Sequence, residues 1–320
     1  MESMKQALSQ KVCAIGLDVG GTKIAGGIVD RTTGKVLARQ VIPTLPKRGG
    51  QAVLADALAL AETLLAEAQT QKFSVLGIGL GVCELVDPQG NVTSNNSFDW
   101  RNLPVQATFA RLAPAVVESD ARAPALAEAQ FGAGQAFRLF AYVTVGTGIS
   151  YCLVQEGKPF AGARGNAITL ASMPLTTTCT NCGTRLNPIL EEFASGPGIV
   201  ARYNQQTGKT VQRAEEVMAA LQNGDARAKE IIQSSGEALG NSVGFMINIL
   251  DPEAVIVGGG LGLAGGLYWD SFVASTRAHI YADDARTLPI LPVALGTDAG
   301  VIGAAAKVFQ MYRDKVMSDE

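Results

Sequence analysis

The sequence predicts an α/β protein of two lobes, each built on a copy of one strand–turn–strand unit. Glycines stand where apolar runs end, and the pattern of apolar run, glycine turn and apolar run at Val12–Val29 recurs at Ala141–Val154. Aligning Thr22 with Thr147 keeps the apolar positions of the two copies in step. The length of 320 residues agrees with two domains of about 150 residues each, and 47% hydrophobic residues can fill two cores.

The first half of the chain is predicted to form four strands and a long helix. The strands cover residues 12–17, 24–29, 35–42 and 75–82, and the last is apolar throughout, as expected of a strand covered on both faces. Asp18–Lys23 and Arg31–Gly34 are the turns between the first three strands. A Pro/Gly-rich loop at 43–50 precedes the Ala/Leu/Glu-rich segment 51–71, whose composition predicts a helix.

The second half repeats the opening hairpin and then alternates helices with a strand. Strands are expected at 141–145 and 149–154, followed by a tight turn at 155–158. Residues 125–130 and 238–250 are predicted helical, and 253–257 is a strand that follows Pro252 and runs into Gly258–Gly260. The small-residue segment 298–306 predicts a helix that must pack closely against a neighbour.

Charge and composition exclude several classes of partner. The chain has 26 basic and 29 acidic side chains, a net charge of −3 and no Lys/Arg-rich run, so we expect neither nucleic acid nor a membrane as partner. The polar segment Met1–Lys11 lacks the apolar stretch of a signal peptide, which predicts a soluble, cytoplasmic protein. Three of the five cysteines, at positions 13, 83 and 152, stand inside apolar runs and are expected to be buried, reduced thiols.

Two glycine turns at equivalent positions of the repeat suggest a phosphate site. A single Gly-Gly turn is equally consistent with a purely structural hairpin, but a second turn in the other copy favours a polyphosphate held between two lobes. A glycine triplet after a strand adds a surface without side chains, suited to a flat ring, so we expect a nucleoside triphosphate. The candidate residues are Asp18, a handle on magnesium or its water shell, with Gly20, Gly21, Thr22, Lys23, Gly146, Thr147, Gly148, Gly258, Gly259 and Gly260.

In their order and spacing, these turns and several further motifs resemble the ROK sugar kinases of the actin-like ATPase superfamily, from about Val12 to Met311. The resemblance implies a duplicated actin-like (ribonuclease H-like) two-lobed fold with an interlobe cleft, ATP and Mg²⁺ as cofactors, a sugar substrate and a homodimer. We expect an N-terminal lobe at 1–118, a C-terminal lobe at 119–297, and a final helix at 298–320 that returns to the first lobe. The motifs are Asp18-Val-Gly-Gly-Thr-Lys23, Asn96-Ser-Phe-Asp-Trp100, Ser119-Asp-Ala-Arg-Ala123, Gly146-Thr-Gly-Ile149, Glu191-Glu-Phe-Ala-Ser-Gly196, Val257-Gly-Gly-Gly260 and Gly296-Thr-Asp-Ala-Gly300.

The same resemblance implies roles for three polar residues. Asp120 is the catalytic carboxylate that accepts the proton of the attacking sugar hydroxyl, although it also stands where a helix N-cap is expected. Asn96 contacts a sugar hydroxyl, unless it only belongs to an Asn-rich turn at 93–97. Glu191 contacts the sugar, with a charge on a helix surface as the alternative.

The acceptor side departs from the family pattern. Gly165-Asn-Ala-Ile-Thr169 stands where ROK kinases usually carry Gly-Glu-x-Gly-His, so Asn166 and Thr169 replace a Glu and a His that meet the sugar. Cys83-Glu84 replaces Pro-Gly, and Ser119 replaces an Asn. These changes predict an altered acceptor, a hexose or a derivative such as an amino sugar, with Glu84 facing an amino or ring hydroxyl group.

The family's structural zinc site is also reduced. Cys179-Thr-Asn-Cys182 supplies two cysteines, no third follows, and the only histidine, His279, is far along the chain. A structural zinc needs four nitrogen or sulfur ligands, so we expect no zinc.

Two alternatives to a kinase are a sugar-responsive repressor and a non-catalytic sensor. The repressor is disfavoured because only about ten residues precede the first strand, which leaves no room for the DNA-binding module of ROK repressors. A non-catalytic sugar or nucleotide sensor is favoured by the missing Glu/His pair and opposed by the retained Asp120 and both glycine turns.

Overall fold

The computed structural model describes residues 10–178 and 182–318, with side chains up to residue 314. Strands and helices are interspersed along these residues and form two five-stranded sheets with helices, which confirms the α/β class. The strands are β1 Val12–Val19, β2 Lys23–Asp30, β3 Val36–Pro43, β4 Ser74–Val82, β5 Ala115–Ser119, β6 Leu139–Val145, β7 Ile149–Gln155, β8 Lys158–Pro159, β9 Thr177–Thr178, β10 Arg185–Leu186, β11 Ala254–Gly258 and β12 Ile290–Pro292. The α-helices are α1 Gly50–Thr70, α2 Val105–Phe109, α3 Arg122–Phe131, α4 Leu190–Ala194, α5 Gly196–Thr207, α6 Ala214–Gln222, α7 Ala226–Leu250, α8 Gly266–His279 and α9 Ala299–Ser318.

The described chain forms two compact units. Unit 1 comprises residues 10–136, 154–167 and 294–318, and unit 2 comprises 137–153, 168–178 and 182–293. In the described ranges, no helix combines the length and the apolar character that crossing a bilayer requires.

Unit 1 contains a five-stranded sheet in the order β3-β2-β1-β4-β5. Strands β1 and β2 form the predicted hairpin and pair antiparallel, whereas β4 runs parallel to both β1 and β5. Side chains of β1 alternate between two cores: Ile15 and Leu17 lie in one core with residues of α1, and Ala14 lies in the other with residues of α9. Both faces of the strand are therefore covered, which explains its unbroken apolar run.

Helix α9 packs directly on β1 and β4 in unit 1. The approach is close enough that a Cβ on Gly16 would lie 2.0 Å from the carbonyl oxygen of Val301, and one on Gly79 would lie 1.8 Å from that of Ala304. The close packing expected of the small-residue segment 298–306 is thus achieved by glycines on the strands as well as small residues on the helix.

Unit 1 extends beyond the boundary expected at residue 118. Helix α3 packs against α9, so the chain stays in unit 1 until Ala136, and residues 154–167 join it as well. Asp120, which the sequence placed in the second lobe, consequently belongs to the same unit as Asp18.

The second sheet has the order β12-β11-β6-β7-β8. Its first two strands along the chain, β6 and β7, are neighbours and are the counterpart of β1 and β2. The duplicated fold predicted from the sequence is therefore confirmed. The predicted helix 238–250 is the second half of α7, which begins much earlier because Asp225 caps it, accepting hydrogen bonds from the N–H groups of Arg227 and Ala228. Helix α7 packs along α8 in unit 2.

Candidate active site

Three carboxylates lie where the parallel strands of unit 1 end. Asp18 is the second-last residue of β1 and pairs with Gly81, Glu84 follows β4, and Asp120 follows β5 directly. The N–H of Asp120 donates to the carbonyl of Val82 at 2.9 Å, which fixes the exit of β5 beside that of β4. Because the carboxyl ends of parallel strands meet at one edge of a sheet, the topology brings the three carboxylates together.

The Asp120 side chain is exposed at this edge. It does not cap α3 in the usual way, since the N–H of Arg122 donates to the hydroxyl of Ser119 at 3.3 Å. Although solvent reaches the side chain, protein atoms crowd its carboxylate. This partial loss of hydration, followed by the charges of Asp18 and Glu84, raises the pKa of Asp120 to about 7. Asp120 is therefore set to exchange a proton near neutral pH.

Ser119 itself was predicted to bind substrate. Its side chain is buried, and its hydroxyl accepts the hydrogen bond at the start of α3. The structure thus gives Ser119 a role in fixing the turn that presents Asp120.

Asp18 is half-buried beside the first turn of α9. Burial raises the pKa of its carboxyl, and the nearby Lys23 opposes the rise. A carboxylate in this position favours a further cation nearby.

The first glycine turn is tied together from within. The N–H of Gly20 donates to the carbonyl of Lys23 at 3.0 Å, so this donor is not available to an anion, contrary to the expectation for Gly20. The buried Thr44 holds the turn from outside, its hydroxyl donating to the Gly20 carbonyl at 2.6 Å and its N–H to the Thr22 carbonyl at 3.1 Å. Thr22 and Lys23 are exposed and Gly21 is partly exposed at the tip.

Glu84 faces the protein rather than the ligand side. It is buried, and its carboxylate accepts hydrogen bonds from the N–H groups of Asn96 at 2.8 Å, Ser97 at 2.6 Å and Phe98 at 3.2 Å, and from the hydroxyl of Ser94. The expected contact of Glu84 with a sugar group is therefore corrected: its oxygens are engaged by the loop that carries Asn96. The Asn96 side chain is exposed.

Arg122 is a buried residue that the sequence did not single out. Its guanidinium donates to the carbonyls of Val86 and Gly165 at 2.7 Å each and pairs with Glu118 at 2.5 Å. Burial alone would raise the pKa of Glu118, but Lys307 and Arg122 outweigh it and lower the pKa. Arg122 thus braces the segment in which the exposed Asn166 follows Gly165.

The second glycine turn, in unit 2, is anchored to two helices. The N–H of Gly146 donates to the carbonyl of Gly148 at 2.9 Å, and the carbonyl of Gly146 accepts from the N–H of Gly196 at 2.9 Å. Glu191 accepts a 2.7 Å hydrogen bond from the N–H of Ile149, so its carboxylate holds the end of this turn. Thr147 is exposed at the tip.

A cavity of about 550 Å³ opens beside this turn within unit 2. Gly259 has φ 84°, and a Cβ there would lie 2.2 Å from the Val145 carbonyl oxygen, so this position requires glycine, whereas a Cβ on Gly260 would meet nothing within 4 Å. Apolar side chains form much of the wall with a few polar groups, a lining suited to a flat ring with polar edges. The lining residues are Gly146, Thr147, Gly196, Pro197, Val200, Ala201, Gln212, Arg213, Ala214, Glu215, Met218, Gly260, Leu261 and Ala264.

The remaining predicted residues are only partly placed. Thr169 is exposed in unit 2 and precedes a short 3₁₀ turn. Cys179 lies outside the described residues, Cys182 is exposed, and His279 contacts the carbonyl of Ser275 at the end of α8. Among the residues that the structure describes, no three His, Cys, Asp or Glu side chains form a metal-binding group. The absence of zinc stays a prediction.

Comparisons with known proteins match nearly the whole chain. The model of the ROK family matches residues 14–311. The chain is 29% identical over 313 residues to a glucokinase of Streptomyces coelicolor, covering 91% of this chain and 96% of that protein. It is 32% identical over 299 residues to an N-acetylmannosamine kinase of Yersinia pestis, covering 91% and 96%. The crystal structure of a ROK family glucokinase from Streptomyces griseus, in complex with glucose and AMPPNP, matches with a TM-score of 0.77 at 27% identity, covering 93% and 99%.

Proposed function

Because the chain belongs to the ROK family, we propose that it is an ATP-dependent kinase that phosphorylates a hydroxyl of a hexose or hexose derivative. The observation that carries the proposal is the exposed Asp120 at the carboxyl edge of the unit 1 sheet, with a pKa of about 7 and the carboxylates of Asp18 and Glu84 close enough to raise it. Relatives that match over most of their length are a glucokinase and an N-acetylmannosamine kinase, which supports a hexose or amino-sugar acceptor.

In this proposal Asp120 orients the acceptor hydroxyl and accepts its proton. Phosphoryl transfer has a loose transition state, so the carboxylate acts mainly on the nucleophile rather than on the phosphorus. A base whose pKa lies near the working pH takes up a proton efficiently, and such a group contributes about 10²- to 10⁴-fold to the rate.

We assign the nucleotide base to the unit 2 cavity beside the second glycine turn. The cavity supplies an apolar wall of Val200, Met218 and Leu261 for the adenine ring and polar side chains at its rim. The Gly146–Gly148 turn of unit 2 fits phosphate oxygens, and so, taken by itself, does the exposed tip of Asp18–Lys23 in unit 1, where Lys23 supplies positive charge.

Asp18 fits a magnesium ion that accompanies ATP. Its carboxylate is half-buried and only partly neutralised by Lys23, and carboxylate oxygens are ligands that Mg²⁺ prefers. When bound, Mg²⁺ supplies charge neutralisation on the phosphate oxygens. Asp18 holds or orients the ion, directly or through water.

In unit 1, the acceptor is assigned to Asn96 and Asn166. Asn96 and Asn166 are exposed polar groups without charge, as is Thr169. Because neutral groups stand where the family usually has a Glu and a His, we propose that the acceptor differs from glucose in the groups that it presents to them. Glu191 contributes through its hold on the second glycine turn.

The test is an ADP-release assay with ATP and Mg²⁺ across hexoses, amino sugars, N-acetyl sugars and polyols. We expect at least one acceptor to be phosphorylated. Asp120→Asn should lower kcat by a factor of about 10² or more while nucleotide binding persists. Glu237 is an exposed carboxylate on α7, so Glu237→Gln is the matched control and should keep full activity. Nucleotide stabilisation of the protein without phosphate transfer to any acceptor would reject the kinase and favour a sensor.

The resemblance to the family also leads us to propose a homodimer. Light scattering during size-exclusion chromatography should give the mass of two chains. The mass of a single chain at micromolar concentration would exclude it.

A further inference from the structure

Glu84 is a buried carboxylate whose hydrogen-bonding capacity is used up inside unit 1. Its side chain is 3% exposed. One oxygen accepts from the N–H groups of Ser97 and Phe98, and the other accepts from the N–H of Asn96 and the hydroxyl of Ser94. A carboxylate offers about four acceptor positions, so Glu84 retains none for a ligand.

The four donors belong to one loop, residues 94–98, and three of them are consecutive backbone N–H groups. Such a set fixes the backbone at Asn96, Ser97 and Phe98 while leaving the Asn96 side chain exposed. Beyond the loop, the ring of Phe98 lies 4.6 Å from that of Trp100, whose Nε1 donates to the Gly50 carbonyl at 2.8 Å. The loop is therefore fixed by its hydrogen bonds to Glu84 and, at its C-terminal end, by the packing of Phe98 on Trp100.

The same loop reaches the first glycine turn. The Ser97 hydroxyl lies 3.6 Å from the position that a Cβ on Gly21 would occupy. Movement of residues 96–98 would thus disturb both the presentation of Asn96 and the packing of the turn that follows β1.

We propose that Glu84 is a positioning residue for the acceptor: it fixes the 94–98 loop so that Asn96 meets the sugar, and thereby sets acceptor affinity without touching the acceptor. The inference rests on the proposed function, because it takes Asn96 as an acceptor contact. It also explains why a charged residue is tolerated in a buried position, since every lone pair is satisfied.

Glu84→Gln tests this with little change in volume. The amide NH2 replaces one of the two oxygens, so either the N–H groups of Ser97 and Phe98 or the N–H of Asn96 lose their acceptor. In the full-length protein without ligand, we expect hydrogen–deuterium exchange at the amides of residues 96–98 to accelerate about tenfold or more. With the best acceptor from the panel of hexoses, amino sugars, N-acetyl sugars and polyols, KM should rise about tenfold and kcat should change less than about threefold.

Two further variants make the result specific. Ser94→Ala removes one donor but leaves the three N–H bonds, so the amides of 96–98 should stay protected and KM should change less than about threefold. Glu84→Asp keeps the charge on a shorter side chain and should give an intermediate KM, and it serves as the test variant if Glu84→Gln does not fold.

Protected amides at 96–98 in Glu84→Gln would overturn the proposal, as would a fall in kcat at unchanged KM. If the wild-type protein phosphorylates no acceptor of the panel, the proposed function is challenged, whereas the exchange measurement still decides whether Glu84 fixes the loop.

Discussion

Gly300 lies against Asp18 so closely that a Cβ on Gly300 would stand 2.5 Å from Asp18 Oδ2. The first turn of α9 therefore packs directly against the Asp18 carboxylate. The obstacle is the end of a side chain rather than backbone, so a larger residue at 300 would displace the carboxylate and leave the helix in place.

Gly300→Ala should therefore impair activity more than stability. We expect kcat with the best acceptor to fall about tenfold, because misplacement of a site group by an ångström is costly, while the melting temperature changes little. Steady-state kinetics and thermal melts measure the two effects. A large loss of stability at full specific activity would show that the helix, and not the Asp18 carboxylate, is displaced by the added Cβ.

Gly79→Ala should have the opposite profile. The added Cβ would stand 1.8 Å from the backbone oxygen of Ala304, and neither β4 nor α9 can move easily. We expect a loss of about 3 kcal/mol in the free energy of unfolding, measured by urea denaturation. Gly260→Ala is the control, since its Cβ would meet nothing within 4 Å. It should leave stability unchanged and weaken nucleotide binding at the unit 2 cavity.

The acid limb of the pH–rate profile should follow Asp120. Desolvation and the charges of Asp18 and Glu84 raise its pKa to about 7, against the lowering effect of Arg122. A base must be deprotonated, so kcat/KM should rise with pH to a plateau above about 7. A profile flat from pH 5 to 8 would argue against Asp120 as the base.

The same shift has a consequence for stability. The Asp120 carboxyl binds its proton more tightly in the native state than in the unfolded state, where its pKa is 3.8. Protonation of Asp120 therefore stabilises the fold at low pH, and this stabilisation is lost as the pH rises from about 4 to about 7. Asp120→Asn removes this contribution. At pH 8 the variant should be inactive yet at least as stable as wild type, and a marked loss in its melting temperature would contradict this.

Arg122→Ala should destabilise unit 1. It leaves the carbonyls of Val86 and Gly165 without the guanidinium donor and removes one of the two cations that pair with Glu118. We expect a loss of about 3 kcal/mol in urea denaturation. Arg122→Lys keeps the charge but not the planar fork and should recover only part of it. Equal stability of all three proteins would mean that water replaces the guanidinium.

The strands and the outline of the site could be predicted because their signals are local. Strand β4 begins one residue from its predicted start, since the apolar run and the glycines that end it are contiguous. Asp18 and Asp120 could be selected for the same reason, each belonging to a short motif beside a strand end. Helices α5 and α6, which line the cavity, are shorter than α1 and are not among the helices predicted from the sequence.

The roles of Glu84 and Arg122 could not be predicted because their partners are distant in the chain. Arg122 bonds to carbonyls at positions 86 and 165, and backbone carbonyls leave no mark in a sequence. Glu84 looked like a ligand contact because it replaces a glycine near the acceptor site. Only the course of the 94–98 loop reveals that its oxygens are occupied.

Helix α9 has a further consequence for biosynthesis. The sheet that it covers is made of strands translated first, yet residues from 294 onward complete that core. While the ribosome synthesises the intervening segment, one side of β1 and β4 stays bare, with Gly16 and Gly79 awaiting the helix. Until residues 294–318 have been synthesised, the nascent chain therefore lacks the helix that covers this face of the sheet.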